Sequence, residues 1–458
     1  MELLEELYNK ITQKFSPQAF LVFSFFTVIL IGSILLMQPF SLQGGNISFI
    51  DSLFTSASAT CVTGLTVVDT NTQFSFIGKI ILLALMQIGG IGVMSFSVLF
   101  LFFLKGKFGI GSREIIQETL SFFDTIDLRS LLRSVFIFAI TIESIGAVLL
   151  TFRFLFYLPF EEALFAGIFH SISAFCNAGF SNFSNNLIDY QADYFINIVT
   201  MILIFLGGIG FIVLYELKNK FGKKFSFSKL SLHSKVAIEI SVILILIGAI
   251  FIFVFEYDVS MKEMELPTKI IASIFHSVSS RTAGFNTVDL YNFSMPSLFI
   301  LISLMFIGAS PASTGGGVKT TTIAVIISFI HSRIKDSRNV NIKFNTLPFR
   351  VISKTIVILV FAITIVVTSA FLLTIIEMEH LPFNANGERF MQIYFEVVSA
   401  FGTVGLSTGI TPELSILGKL LIIFLMFAGR VGPLTIASII GSKETVDIRY
   451  AEDNILVG

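Results

Sequence analysis

The sequence predicts an all-α integral membrane fold: eight transmembrane helices and four re-entrant half-helices, set as four helix, half-helix, glycine-strand, helix repeats in a pseudo-fourfold arrangement around one pore. Three observations carry that reading. The 458-residue chain is 54% hydrophobic and only 13% charged, with a mean hydropathy of +0.87, which leaves too little polar surface for a water-soluble fold. Eight apolar runs are long enough to span a bilayer, each about 20 residues or more. A short polar stretch centred on glycine recurs four times: SATCVTGLT at 58–66, SAFCNAGFS at 173–181, SSRTAGFNT at 279–287 and SAFGTVGLS at 399–407.

Residues 1–17 read as a cytoplasmic N-terminus. MELLEELYNKITQKFS carries acids and a short polar helix pattern in place of a basic stretch and cleavage site, so no cleaved signal peptide is expected. Repeat 1 covers 18–104, with spans at 18–39 and 76–104. Repeat 2 covers 131–217, with spans at 131–158 and 194–217. Repeat 3 covers 236–330, with spans at 236–257 and 296–330, and repeat 4 covers 351–441, with spans at 351–377 and 414–441. Between the spans of each repeat lies a weaker segment, at 50–61, 161–176, 267–281 and 388–402. At about 10 to 15 residues these are too short to span and read as re-entrant. Residues 442–458 form a cytoplasmic tail.

The motif glycines Gly64, Gly179, Gly284 and Gly405 stand 115, 105 and 121 positions apart. A second glycine cluster follows each in step: GGIG at 89–92, GGIG at 207–210, GASPASTGGG at 308–317 and AGRVG at 428–432. Small residues at helix contacts explain one such echo but not four in one register. The basic connections at 105–133, 218–235 and 331–354 assign their side of the membrane to the cytoplasm. The stretches after the glycine motifs carry scattered acids, among them Asp69, Asp189, Asp193, Asp289 and Glu413, and face outside.

Irregular backbone at membrane depth is tolerated only where protein buries it or it lines a watery cavity. Four glycine strands around an axis satisfy that condition together. Their carbonyls can replace the hydration shell of a monovalent cation, and glycine reaches backbone conformations closed to other residues. The candidate ion-binding residues are Val62, Thr63 and Gly64, Asn177, Ala178 and Gly179, Thr282, Ala283 and Gly284, and Thr403, Val404 and Gly405. The half-helices would turn their negative C-terminal ends toward the cavity beneath.

In the sixth span, Gly308, Gly315, Gly316 and Gly317 surround Pro311 and the polar Ser310, Ser313 and Thr314, which cannot remain one regular helix. This loop, continued by Lys319, is expected in the conduit below the glycine strands, where it can obstruct ions. Arg430 lies at the matching depth of the eighth span. An intramembrane arginine needs partners, here expected to be loop carbonyls or hydroxyls, with a clamp to an acid elsewhere as the alternative.

Four such units, each with one motif glycine, resemble the Trk/Ktr/HKT superfamily of potassium transporters, and the eight-span layout is most similar to the bacterial Ktr membrane subunits. The match covers about 18–450. The resemblance implies potassium uptake at a bacterial plasma membrane with both termini cytoplasmic, gating by the glycine-rich loop, potassium as the only metal, and no organic cofactor. It further implies a homodimer, with a pore in each protomer, on a cytosolic nucleotide-binding ring of KtrA type. Glycine in all four strands is similar to the potassium-selective members. Only Thr403, Val404 and Gly405 reproduce the T-V-G of potassium-channel filters, so fewer well-formed ion sites are expected. A sodium- or ammonium-conducting protein or an ion-coupled transporter of the same fold is the alternative.

Some residues break the fourfold pattern. His276 lies eight residues before Gly284 and His170 nine before Gly179, so the third half-helix or its exit is one residue shorter. Arg281 then occupies the position of Cys61, Cys176 and Gly402, and is expected to tie the back of the strand to nearby carbonyls or an acid. Glu143 is expected either on the ion path or paired with Arg129, Arg133 or a neighbouring helix. GGGVKTTT at 315–322 lacks the adjacent Gly and Lys of a phosphate loop. An intramembrane enzyme built on His170 with Ser171, or His276 with Ser277, is a remote reading, because adjacent helical residues point apart.

Overall fold

The computed structural model describes residues 17–92, 128–220, 229–378, 383–432 and 435. The predicted N-terminus up to 16, the end of the second span, the basic connection at 105–127, Lys223 and Lys224, the end of the eighth span and the tail lie outside the described residues. So does the connection at 379–382.

The first repeat consists of α1 (Pro17–Leu36), the half-helix α2 (Phe49–Thr60) and α3 (Phe76–Ile91); the second of α4 (Leu128–Phe154), the half-helix α5 (Phe160–Phe175), α6 (Tyr194–Gly208) and α7 (Phe211–Lys220). The third repeat has α8 (Leu232–Glu256), the half-helix α9 (Leu266–Ser279), α10 (Met295–Phe306) and α11 (Thr320–Ile334). A two-stranded hairpin, β1 (Asn341–Ile342) with β2 (Asn345–Thr346), leads to the fourth: α12 (Phe349–Glu377), the half-helix α13 (Phe383–Gly402) and α14 (Ile416–Val431).

Polar residues set where the helices begin. Ser48 accepts from the Asp51 amide to start α2, Ser75 from Gly78 to start α3, Asp193 from Phe195 and Ile196 to start α6, and Ser415 from Gly418 to start α14. Each oxygen satisfies a backbone donor that the first helical turn leaves open. In the last two repeats a carboxylate at the end of the first helix holds the start of the last. Glu256 accepts from Ser294 Oγ at 2.6 Å, and Glu377 from Ser415 Oγ at 2.6 Å.

The repeats close on one another. In each repeat the half-helix packs on the helix before it, and in repeats 1, 2 and 4 also on the helix after it; the helix that follows each half-helix packs on the half-helix of the next repeat: α3 on α5, α6 on α9, α10 on α13 and, completing the circle, α14 on α2. Large side chains on the outer faces stay exposed, including Val148 at 69%, Ile250 at 61% and Phe371 at 66%. Nothing among the described residues covers these apolar faces, which suits a surface against lipid.

The second glycine clusters interrupt two spans: α6 and α7 meet at 98° within 194–217, and residues 307–319 separate α10 from α11 within 296–330, as the composition of 308–317 predicts. Gly210, at φ +102°, makes the first turn. Among the described residues, α8, α12 and the Arg133–Phe154 part of α4 are each long and apolar enough to cross a membrane, with the bent pair a fourth candidate. The fourth half-helix is also longer than its apolar segment, because helix continues N-terminally through the polar NANGER residues to Phe383.

The second glycine cluster lets helices touch backbone. A methyl group on Gly89 would collide with the Thr60 carbonyl, one on Gly207 with Phe175 and one on Gly429 with Phe401, in each case the carbonyl four residues before a motif glycine. Gly429→Ala is therefore expected to destabilise the protein by about 1–3 kcal/mol through overpacking. Gly387→Ala, where a methyl meets nothing within 4 Å, should be neutral or stabilise α13 by up to about 1 kcal/mol. Thermal unfolding of the two purified variants checks the contrast.

Candidate functional site

Each glycine strand leaves the C-terminus of its half-helix in the same alternating backbone. Val62 and Gly64 have φ of +58° and +96°, Asn177 and Gly179 +58° and +70°, Thr282 and Gly284 +73° and +77°, and Thr403 and Gly405 +51° and +93°. The residue between each pair does not have positive φ. Such alternation turns successive peptide groups the same way round, amides to one side and carbonyls to the other. A left-handed Val or Thr is strained, by of order 1–3 kcal/mol.

The amide side is satisfied by one serine per repeat. Thr63 N donates to the Ser58 carbonyl at 2.8 Å, Ala178 N to Ser173 at 2.7 Å, Ala283 N to Ser279 at 2.9 Å and Val404 N to Ser399 at 2.8 Å. Hydroxyls of the same serines add a second tie. Ser58 Oγ accepts from Gly64 N at 3.0 Å and Ser399 Oγ from Gly405 N at 3.1 Å, while Ser173 Oγ and Ser279 Oγ donate to the carbonyls of Phe180 and Phe285. These serines were not singled out as functional, although they open all four sequence motifs. The bond to Ser279 spans four residues where the others span five, which assigns the missing residue of the third repeat to the exit and not to the half-helix.

With the amides held back against the half-helices, the carbonyls face the other way and form a ring. A methyl group added to Gly64 would lie 2.6 Å from the Ala178 carbonyl oxygen, and one on Gly179 would lie 2.9 Å from Ala283 O. Gly284 stands in the same relation to Val404 O, and Gly405 to Thr63 O. Each glycine thus abuts the carbonyl before the next glycine, and the fourth returns to the first. This brings all twelve predicted strand residues into one constellation.

The residues predicted in the sixth span form a loop against the base of these strands. Methyl groups on Gly315 and Gly316 would run into the hydroxyls of Thr282 and Thr403, and Gly308 packs against Gly316 and Gly317. The loop is pinned to the α6–α7 break: Ser310 N donates to Gly208 O at 3.0 Å, Thr314 N to Gly207 O at 3.3 Å and Phe211 N to Ala312 O at 2.7 Å, while Pro311 O lies against Gly210. Ser313 Oγ donates to Ser310 O at 2.6 Å, and Lys319 Nζ to Gly315 O at 2.7 Å. Arg430 joins loop and helix, its guanidinium donating to the carbonyls of Thr314, Gly89 and Gly90. Loop carbonyls are therefore among its partners, as the sequence suggested. The buried hydroxyls of Thr63, Thr314 and Thr403 have no hydrogen-bond partner among the described residues.

The remaining polar groups sit behind the strands. His170 bonds the Ala166 carbonyl through Nδ1 and Ser181 Oγ through Nε2, both at 2.9 Å, and His276 Nδ1 bonds Ala272 O. Ser171 and Ser277 donate to Glu143 O and Ile245 O, not to the neighbouring histidines. At the same register of α13 stands Glu396, which sequence reasoning missed: its carboxylate accepts from Ser407 Oγ at 2.9 Å and from Thr411 Oγ1. Glu143 pairs with a neighbouring helix, accepting from Gln87 Nε2 at 3.0 Å.

A family model described as TrkH, cation transport protein, matches residues 9–443. The chain is 39% identical to the Ktr system potassium uptake protein B of Bacillus subtilis, over 97% of each chain. It is 32% identical to the potassium/sodium uptake protein NtpJ of Enterococcus hirae, over 98% of this chain and 99% of that one. The crystal structure of the potassium transporter TrkH from Vibrio parahaemolyticus superposes with a TM-score of 0.73 at 19% identity, covering 92% of this chain and 84% of that one, a likeness of fold.

The hydroxyl ties can be removed without touching the ring itself. Ser58→Ala leaves the buried Gly64 amide without its side-chain acceptor, and Ser399→Ala does the same to the partly buried Gly405 amide, at a cost of about 1–3 kcal/mol. The expected result is a lower unfolding temperature with retained helix content, read by circular dichroism. Serine-to-threonine versions, which keep the hydroxyl, should recover most of the loss.

Proposed function

The chain belongs to the TrkH family of cation transport proteins, and from that premise we propose that it carries potassium into a bacterial cell across the plasma membrane, with both termini cytoplasmic. The observation that carries this reading is the closed ring of the Thr63, Ala178, Ala283 and Val404 carbonyls around the four motif glycines. Oxygens so held replace the waters that a monovalent cation sheds on entering a narrow path. The four half-helices end at the ring, so their negative dipole ends favour a cation there. No cofactor is needed for this chemistry, and the potassium ion is the cargo.

The loop at 308–317 is the gate in this reading. It lies against Thr282 and Thr403 at the base of the ring, and Arg430 is the latch, because its guanidinium bonds Thr314 of the loop together with Gly89 and Gly90 of α3. The positive charges of Arg430 and Lys319 add a barrier to cations. Movement of the sixth span by a cytosolic nucleotide-binding ring subunit, of the KtrA kind that Ktr systems use, would release the loop, and two copies of the chain would share that ring. The potassium/sodium name of one relative favours a second reading, a path that also conducts sodium.

Potassium and sodium flux in proteoliposomes tests both readings. Gly64→Ser and Gly405→Ser place a side chain on a neighbouring carbonyl at positive φ. Each is expected to lower potassium preference over sodium roughly tenfold or more, which corresponds to about 1.4 kcal/mol of discrimination. Selectivity unchanged in both would remove the ring from the ion path. For the gate, deletion of several residues within 312–317, or Arg430→Ala, should raise potassium flux and weaken its dependence on the partner's nucleotide. Flux that stays the same or falls in well-folded versions of both would reject the latch.

A further inference from the structure

Between the third and fourth repeats, the hairpin of β1 and β2 closes on a two-residue turn, Lys343 and Phe344, because Ile342 pairs with Asn345. Such turns favour Asn and Gly, yet here Lys343 takes a φ of +55° and Phe344 is fully exposed, at 104%. Other apolar side chains of the hairpin are covered: Val340 is buried, and Ile342 and Leu347 pack with it against Val325 of α11 and Ile352 of α12. Lys343 ties the tip to α8, its Nζ donating to Glu239 Oε1 at 2.5 Å. Glu239 lies seven residues into α8, about 10 Å along its axis. On the same helical face follow Val242, Ile243, Leu246 and Ile250, all exposed. Glu239 therefore marks the cytoplasmic end of an apolar stripe, and the hairpin sets Phe344 beside it. The connection that carries the hairpin, 331–354, holds six bases against one acid, Asp336. Arg333, Lys335, Arg338, Arg350 and Lys354 are exposed.

We propose that this hairpin is a docking surface for anionic phospholipid of the cytoplasmic leaflet, with Phe344 among the first carbons of the acyl chains and the bases of 331–354 against the headgroup phosphates. The height of the tip carries the argument. In a bilayer the exposed stripe of α8 is covered by acyl chains, so a side chain at its cytoplasmic end lies where chains meet headgroups. An aromatic ring on a basic element buries itself at that boundary, and lysine and arginine keep their apolar stems beside it while their charged ends reach outward. The sign of the charge selects the lipid. Clustered bases next to a membrane span are attracted to anionic headgroups, whereas a zwitterionic headgroup offers them no net charge. A cytosolic protein would have to displace lipid to cover Phe344 at this height. The surface is separate from the ring and the glycine-rich loop. It requires only that α8 span the membrane with the basic connections on the cytoplasmic side.

The chain contains no tryptophan, so Phe344→Trp in the full-length protein places a single fluorophore at the tip, where full exposure leaves room for the larger ring. The protein is reconstituted in vesicles of phosphatidylglycerol and phosphatidylcholine in which one lipid at a time carries bromine on its acyl chains. Blue-shifted emission is expected, with bromine near the glycerol end of the chain quenching more than bromine at its middle. At equal mole fraction, brominated phosphatidylglycerol should quench roughly twofold more than brominated phosphatidylcholine, and Arg338→Glu combined with Arg350→Glu should level the two. Water-like emission that neither lipid quenches would overturn the proposal. Protection that appears only when a cytosolic ring subunit is added would overturn it in favour of that protein, and blue-shifted emission without bromine quenching in favour of a second copy of the chain. Equal quenching by the two lipids, or a preference that the charge reversal leaves intact, would reject recognition by charge and the proposal with it. If Phe344→Trp does not fold, hydrogen exchange across 341–346 in the unmodified protein decides: slower exchange in phosphatidylglycerol than in phosphatidylcholine vesicles supports the docking, and equal rates reject it. None of these measurements reads flux, so their failure is separate from failure of the transport reading.

Discussion

Hydrocarbon offers no hydrogen bond to an open peptide group, and the irregular segments of this chain are arranged to meet that constraint. The strand amides turn back to the four motif serines. The glycine-rich loop exchanges bonds with the opened turn between α6 and α7, and the carbonyls of Thr314, Gly89 and Gly90 meet the guanidinium of Arg430. What is left over is the inner row of strand carbonyls. The magnitudes explain why the strained backbone persists. A left-handed Val62, Thr282 or Thr403 costs of order 1–3 kcal/mol, whereas each buried amide left open in lipid would cost several. Strain on one residue per strand is the smaller penalty.

The same region shows how closely attraction and obstruction of cations are related. Backbone that must give up helical bonds exposes carbonyl oxygens, and any cation responds to them. Lys319 and Arg430 are such cations, tethered to the chain and already in contact with the carbonyls of Gly315 and Thr314. On the transport reading, a mobile ion competes at the base of the ring with charges the protein supplies itself.

Much of this architecture is legible in the sequence because glycine has few substitutes at positive φ and at points of backbone contact. The four motifs and their second clusters mark ring and breaks in one register, and the composition of 308–317 announces a loop. Other features depend on three-dimensional neighbours. The motif serines are visible as letters, but a serine ahead of a glycine does not reveal which amide it will accept from. His170 and Ser173 have the same spacing as His276 and Ser279, which already confines the deletion to the stretch between serine and glycine; the Ala283 amide reaching Ser279 establishes Ser279, and not Ser280, as the equivalent serine. Glu396 passed unnoticed because its partners, Ser407 and Thr411, come from beyond the strand. The 98° turn between α6 and α7 falls at the GGIG cluster of 207–210, but the loop from another repeat that bonds to it there is not visible in that stretch of sequence.

The loop at 308–317 belongs to one repeat yet touches parts of three. It meets Thr282 of its own repeat, Thr403 of the fourth and Gly207 and Gly208 of the second, and through Arg430 it is linked to Gly89 of the first. Four identical subunits could not be built this way, because four copies of the loop would claim the same space. Joining the quarters in a single polypeptide removes that conflict: one quarter can lengthen into the shared centre, another can contribute the arginine that holds it, and the other two can stay short to make room.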